Sequence, residues 1–202
     1  MKRFFIFTLF IITFLTIFNR AYSISPDVFI QSTVNRASQI LSKDISKEEK
    51  INQLKIIAKE TVDIRGVGFY SLRSTRKVIN NEQKNTYLNL FENYFLKSFS
   101  SRLAEFTDPR IRVDSQKKLS DKYTMVSSTL LATEDKPEVK IDWRVVTKDP
   151  DNPLIIDVVI EGVSLAKVQK EEFNSIIQSN DGDINSLSVS YTHLTLPTTP
   201  YV

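Results

Sequence analysis

One stretch of this chain has residue types and spacing that could do covalent chemistry: Gly162-Val163-Ser164-Leu165-Ala166, where a strand-like run turns directly into a helical pattern. It shares the strand–turn–helix setting of the Gly-x-Ser-x-Gly nucleophile elbow but lacks the last glycine. A nucleophilic serine needs a general base. The one histidine, His193, lies in the final segment, and nothing marks a lysine for that task. The competing reading makes Ser164 the cap of the following helix and Gly162 the residue that permits the turn. That reading is preferred, so no catalytic residue is assigned and no enzymatic activity is expected.

Other chemistry is thinly supplied. There is no cysteine, the carboxylates are spread along wet faces, and the whole chain has four glycines, too few for a phosphate-cradling loop. No metal and no cofactor is therefore expected. Asp142, between Lys140 and Arg144, reads as part of a solvated strand face with charge pairing along one side. Arg102 is different. At about 100° per residue it falls inside the stripe of Phe91, Phe95, Phe99 and Phe106. An arginine among aromatics is either stacked and paired structurally or stationed at a pocket mouth for an anionic group. Both readings stay open at this point.

These residues need elements to position them. Ser25-Pro26 supplies a cap and first position for a helix carrying Val28, Ile30, Val34, Ala37 and Leu41 at helical spacing. Ser46 with Glu49 forms a capping-box pattern for a second helix, striped by Ile51, Leu54, Ala58 and Val62. The segment RGVGFYSL holds two of the four glycines and reads as a bend between helices. Asn80 with Gln83 opens the longest helix, expected to run to about Phe106, before Pro109. Four of the seven phenylalanines beyond residue 23 sit on its one apolar face.

From Arg110 the period changes to two. Strands are predicted over 110–116, 122–133, 138–147 and 154–161. In the third, Val139, Ile141, Trp143 and Val145 alternate with Lys140, Asp142 and Arg144. In the fourth, Leu154, Ile156, Val158 and Ile160 share the face opposite Asp157 and Glu161. A last helix from Ser164 to about Gln178 packs Leu165, Val168 and Phe173, and a further one begins near Asp183. Helices followed by a one-sided antiparallel sheet make an α+β fold.

The ends are read separately. Lys2-Arg3, the 15-residue apolar run Phe4–Phe18 and the small residues Ala21 and Ser23 fit a cleaved signal peptide over residues 1–23. The run is short of the about 20 residues that span a bilayer. Residues 24–202 then carry 24 basic and 24 acidic side chains, which gives no general pull on nucleic acid or anionic lipid. Secretion without cysteines or an anchor points to the periplasm. At the other end, VSYTHLTLPT (189–198) resembles a translated sequencing adapter. Residues 188–202 are accordingly expected to be a non-native tail, with one domain over 24–187 whose C-terminal helix is cut short.

The stretch IDVVIEGVSLAKVQKEEF is similar to the Asp-x-x-x-Glu-Gly-Val-Ser signature of the MlaC family, at Asp157, Glu161, Gly162, Val163 and Ser164. The helix NNEQKNTYLNLFENYFLKSFSSRL resembles that family's long helix, and VKIDWRV its penultimate strand. The family usually has Leu-Gly where this chain has Leu72-Arg73, so the bend there could differ. MlaC proteins are periplasmic lipid-binding components of ABC-type phospholipid transport systems, also called toluene-tolerance auxiliary proteins. The resemblance implies N-terminal helices wrapped on one face of a curved four-stranded antiparallel sheet, with acyl chains in an apolar cavity between them. It implies a phospholipid carrier shuttling between an outer-membrane lipoprotein complex and an inner-membrane ABC lipid transporter, with only transient membrane contact. The alternatives are a periplasmic binder of another apolar ligand, such as a polycyclic lipid, and more distantly an esterase-like hydrolase.

Exposing two acyl chains of about 15 methylenes each to water costs on the order of 24 kcal/mol, which calls for an enclosing apolar wall. The expected wall has Trp143, Val145, Ile156 and Val158 pointing from the sheet towards Phe91, Phe95 and Phe99, joined by Phe69 and Leu130, with Arg102 as the head-group candidate. The same patterning would also serve a filled core.

Overall fold

The helices start where their caps place them. The computed structural model describes residues 24–134 and 136–187; the expected signal peptide and C-terminal tail lie outside the described residues. Helix α1 spans Pro26–Leu41, α2 Lys47–Thr61, α3 Ile64–Ser71, α4 Asn81–Leu103 and α5 Leu165–Ser179. Ser46 accepts the Glu49 N–H at the start of α2. At α4 both halves of the capping box form: Asn80 Oδ1 accepts from the Gln83 N–H at 2.8 Å, and Gln83 Oε1 accepts from the Asn80 N–H at 3.1 Å. Each such cap satisfies backbone donors that a helix start leaves without partners.

Three helical expectations are corrected. RGVGFYSL is not a bend; most of it is α3, capped by Asp63, whose carboxylate accepts the Gly66 N–H at 2.9 Å. Gly68 serves close packing instead: a Cβ there would lie 2.9 Å from Cδ1 of Phe91 and 3.3 Å from Cδ2 of Leu88, so α3 can seat against α4. Helix α4 ends at Leu103, where the chain tightens into i→i+3 bonds (Glu105 N–H to Arg102 O, Phe106 N–H to Leu103 O). Phe106 is therefore off the stripe and exposed, as is Val28 on α1. Arg73, standing where the family usually has a glycine, adopts a φ of 54°, so the chain takes a left-handed conformation before α4 without a glycine.

The sheet is antiparallel and open, in the order β1 (Ile111–Ser120), β2 (Tyr123–Leu130), β3 (Val139–Val146), β4 (Leu154–Ile160) and β5 (Val163–Ser164). It has five strands rather than the four expected. The fifth arises because Glu161 (φ 47°) and Gly162 (φ 83°) form a two-residue hairpin turn with both central residues left-handed, which returns the chain along β4 before α5 begins. Bulges break the register between Val113 and Ser115, between Lys118 and Ser120, and opposite Arg144–Val145; such bulges bend a strand and raise its twist. Along the outer edge of β1, the Gln31 side chain accepts the Val113 N–H at 3.1 Å and donates to the Ile111 carbonyl at 3.4 Å.

The β4 bulge changes which residues face inward. Trp143 pairs with Val158, but Val145 pairs with Ile155. Directly paired residues share a face, so Ile155, not Ile156, joins Val126 and Val145 beneath Ile30 and Val34 of α1. Strict alternation would have put Ile156 there. Beyond this cluster, α2, α3, α4 and α5 form a helical layer with its own core, and the other face of the sheet is polar, as in the pairings of Ser127 with Asp142 and Thr129 with Asp114.

Candidate functional site

The corner at Ser164 is built from the signature residues, each with a structural task. Asp157 is buried, with 6% of its surface exposed, on the face of β4 away from α1. It accepts the Ser164 hydroxyl at 2.7 Å and the Ala166 N–H at 3.0 Å, and pairs with the Arg144 guanidinium at 3.4 Å. Ser164 in turn accepts the Lys167 N–H at 3.0 Å as N-cap of α5. Its proton is thus given to Asp157, the same carboxylate that holds the Ala166 N–H and the Arg144 guanidinium.

Glu161 ties the turn to β3: its N–H donates to the Lys140 carbonyl at 3.0 Å, and its carboxylate accepts the Lys140 N–H. Gly162 is required by its φ rather than by crowding, since nothing lies within 4 Å of where a Cβ would stand. The arrangement fixes the edge of the sheet to the start of α5. Among the described residues no cluster of three or more His, Cys, Asp or Glu side chains could hold a metal ion.

The apolar residues fall into two clusters. Phe91 lies at the centre of the helical one, 1% exposed, with ring centroids 5.9 Å from Phe173 edge-on, 5.9 Å from Tyr87 and 6.2 Å from Phe95. Phe95 and Phe99 stack at 5.3 Å with planes 11° apart and are only half-buried; Phe69, beneath the Lys84 ammonium at 4.7 Å, is half-buried too.

In the sheet cluster, Val145 is fully buried, while Trp143 and Val158 are half-buried. The Trp143 indole N–H donates to Ser128 Oγ at 2.8 Å, which orients the ring on the sheet. Leu130, at the end of β2, is half-buried; Ile156 sits in the bulge and belongs to neither cluster. The expected wall is therefore not one contiguous surface. Phe91 and Val145 are sealed core residues with little area to offer a ligand. Phe95 and Phe99 on one side, and Trp143 and Val158 on the other, keep apolar area uncovered.

Val62 packs against both clusters. It ends α2 in extended backbone and bridges to Ile155, while the next N–H, of Asp63, donates to the Ile155 carbonyl at 2.9 Å. Sequence reading placed Val62 only on a helix stripe. The signal that could have moved it is Asp63 followed three residues later by Gly66, the pattern of a new N-cap.

Arg102 is half-buried in the last turn of α4, and its charge acts on Tyr94. The Tyr94 hydroxyl donates to Gln169 Oε1 at 3.1 Å, and Gln169 Nε2 donates to Glu172 at 3.2 Å. Burial, and then the Glu172 charge, push the Tyr94 phenol up from 10.0 to about 12, against the opposing effects of Gln169 and Arg102. Burial also raises the Glu172 carboxyl. Because folding favours the neutral phenol, its stabilising share is complete below pH 10 and is lost as pH rises through about 12. Denaturation midpoints measured across that window should fall more steeply for the wild type than for Tyr94→Phe.

The fold is shared with a solved structure, that of the phospholipid-binding protein from Ralstonia solanacearum in complex with a phospholipid. The likeness has a TM-score of 0.71 at 18% identity, covering 84% of this chain and 96% of that one. A comparison with curated proteins gave no match. The family model described as MlaC protein matches residues 31–189, nearly all of the described fold and the whole Asp157–Ser164 corner. On that match, this chain belongs to the MlaC family.

Proposed function

We propose that this protein is a periplasmic phospholipid carrier, holding acyl chains between the half-buried faces of Phe95 and Phe99 on α4 and of Trp143 and Val158 on the sheet. The observation that carries the reading is that large apolar side chains on both sides of Val62 are left partly uncovered although neighbouring positions are sealed. Uncovered apolar area of this kind is characteristic of ligand grooves. The phospholipid held by the Ralstonia solanacearum protein, on the same fold, supports the class of ligand.

Membership of the MlaC family supports a role in lipid transport between an outer-membrane lipoprotein complex and an inner-membrane ABC transporter, with export by the N-terminal signal sequence and a contribution to outer-membrane lipid asymmetry and toluene tolerance. Solvent extraction of the purified protein followed by mass spectrometry tests the reading. Phospholipid in near-stoichiometric amount is expected; a polycyclic lipid in its place, or no lipid at all, would overturn it.

Arg102 is the head-group candidate. Arg102→Glu should lower retention of anionic phospholipid severalfold while leaving the melting temperature nearly unchanged. A large fall in melting temperature with lipid retention intact would assign Arg102 to the Tyr94 network instead.

A further inference from the structure

We infer that the α3–α4 corner is a docking surface for an anionic lipid bilayer, on which the carrier rests while it takes up or delivers its cargo. The corner is the 3₁₀ turn Thr75–Lys77 with Val78 after it. Val78 is 83% exposed, more than any other large apolar residue described. An isolated exposed valine means little, but this one stands in a cationic setting. Between Tyr70 and Lys84 the chain has four basic residues, Arg73, Arg76, Lys77 and Lys84, against one carboxylate, Glu82.

Arg73 pairs loosely with Glu171 at 3.8 Å, and both side chains are about half exposed. Arg76 and Lys77 are exposed and enter no ion pair among the described residues. The corner is thus locally positive on a chain with 24 basic and 24 acidic residues after position 23, so the charge is concentrated there rather than inherited from an overall excess.

An apolar tip ringed by long basic side chains matches the chemistry of an anionic membrane surface. The cations reach lipid phosphates, and the valine enters the boundary between head groups and acyl chains. A bilayer is favoured over an acidic protein because Lys84, one of the four basic residues, lies 4.7 Å over the ring of Phe69, a half-buried aromatic expected on the cargo wall, so the cationic corner touches the apolar side from which a lipid would enter. That part of the argument rests on the carrier reading.

The test is flotation of the full chain with vesicles of phosphatidylcholine alone or with about a third phosphatidylglycerol. Each basic residue near an anionic surface is worth about a fivefold change in partitioning. Arg76→Ala with Lys77→Ala should therefore weaken binding to the phosphatidylglycerol vesicles by about 25-fold, and raised salt should weaken the wild type by screening. Val78→Trp should show blue-shifted emission, over the Trp143 background, only with the anionic vesicles.

Equal binding by the double variant, or no spectral change at Val78→Trp, would overturn the proposal. Wild-type protein that ignores anionic vesicles would also overturn it and turn attention to an acidic protein partner. Lipid content after purification is measured on the same samples. Loss of docking with normal lipid content locates the effect in the corner, whereas docking by a protein that carries no lipid sustains the surface and sinks the carrier reading.

Discussion

Asp157→Ala is expected to destabilise the fold by about 2–4 kcal/mol in chemical denaturation. The substitution removes one carboxylate that serves three donors from different elements: the Ser164 hydroxyl, the Ala166 N–H and the Arg144 guanidinium. Ala166 is 8% exposed, so its N–H is left without water or partner. Arg144 is the lesser part of the loss, because its side chain is 40% exposed and can rehydrate. For that reason the estimate stays below the full penalty of a buried pair broken on one side.

Ser164→Ala should cost about 1 kcal/mol as the loss of an N-cap. The double variant should lose less than the sum, since the two residues share a bond. Additive losses would mean that Asp157 and Ser164 stabilise the corner independently. Any turnover of an ester substrate should be unaffected by Ser164→Ala; a turnover abolished by that change would revive the hydrolase reading.

Val158→Trp is expected to empty the protein of lipid without unfolding it. Val158 pairs with Trp143 on the inward face of the sheet and is half-buried rather than sealed. In a filled core an extra ring of that size overpacks its neighbours at about 1–3 kcal/mol. Beside a lipid site it occupies volume otherwise held by an acyl chain, so the denaturation midpoint should hold while the extracted lipid falls severalfold. The matched control is Val145→Trp: Val145 is 0% exposed in the same cluster, and enlarging it should unfold or strongly destabilise the protein. If the two substitutions behave alike, the inward face has no open side at Val158.

How far the sequence reached can be judged from these same residues. Three helix starts were legible because caps are local: Asn80 with Gln83, Ser46 with Glu49, and Ser164 before α5 are all interactions across three residues. The α+β order was legible from the change of period near Arg110. What covers each apolar face was not. The Phe91–Phe99 stripe announces burial, but α4 is buried on several sides, and Phe91 meets Phe173 from α5 rather than the sheet.

Ile156 was placed inward by alternation along β4. Alternation fails at a bulge, and the bulge depends on the register with β3, which no single strand encodes. Gly68 looked like a chain break because glycine in isolation signals flexibility. Its neighbour across the helix pair, Phe91, is 23 residues further along the chain.

The Gln31 amide on the outer rim of β1 has a consequence for how two copies of this chain can meet. A terminal strand presents unpaired amide and carbonyl groups that a second copy could extend, and the partly uncovered apolar side chains of this fold would reward such an encounter. By matching the Val113 N–H and the Ile111 carbonyl, one side chain from α1 takes the place a neighbouring strand would fill. Further along the same strand, Lys117 and Lys118 make stacking two copies electrostatically costly. Both features disfavour edge-to-edge pairing of two copies, and Gln31→Ala should appear first as concentration-dependent aggregation.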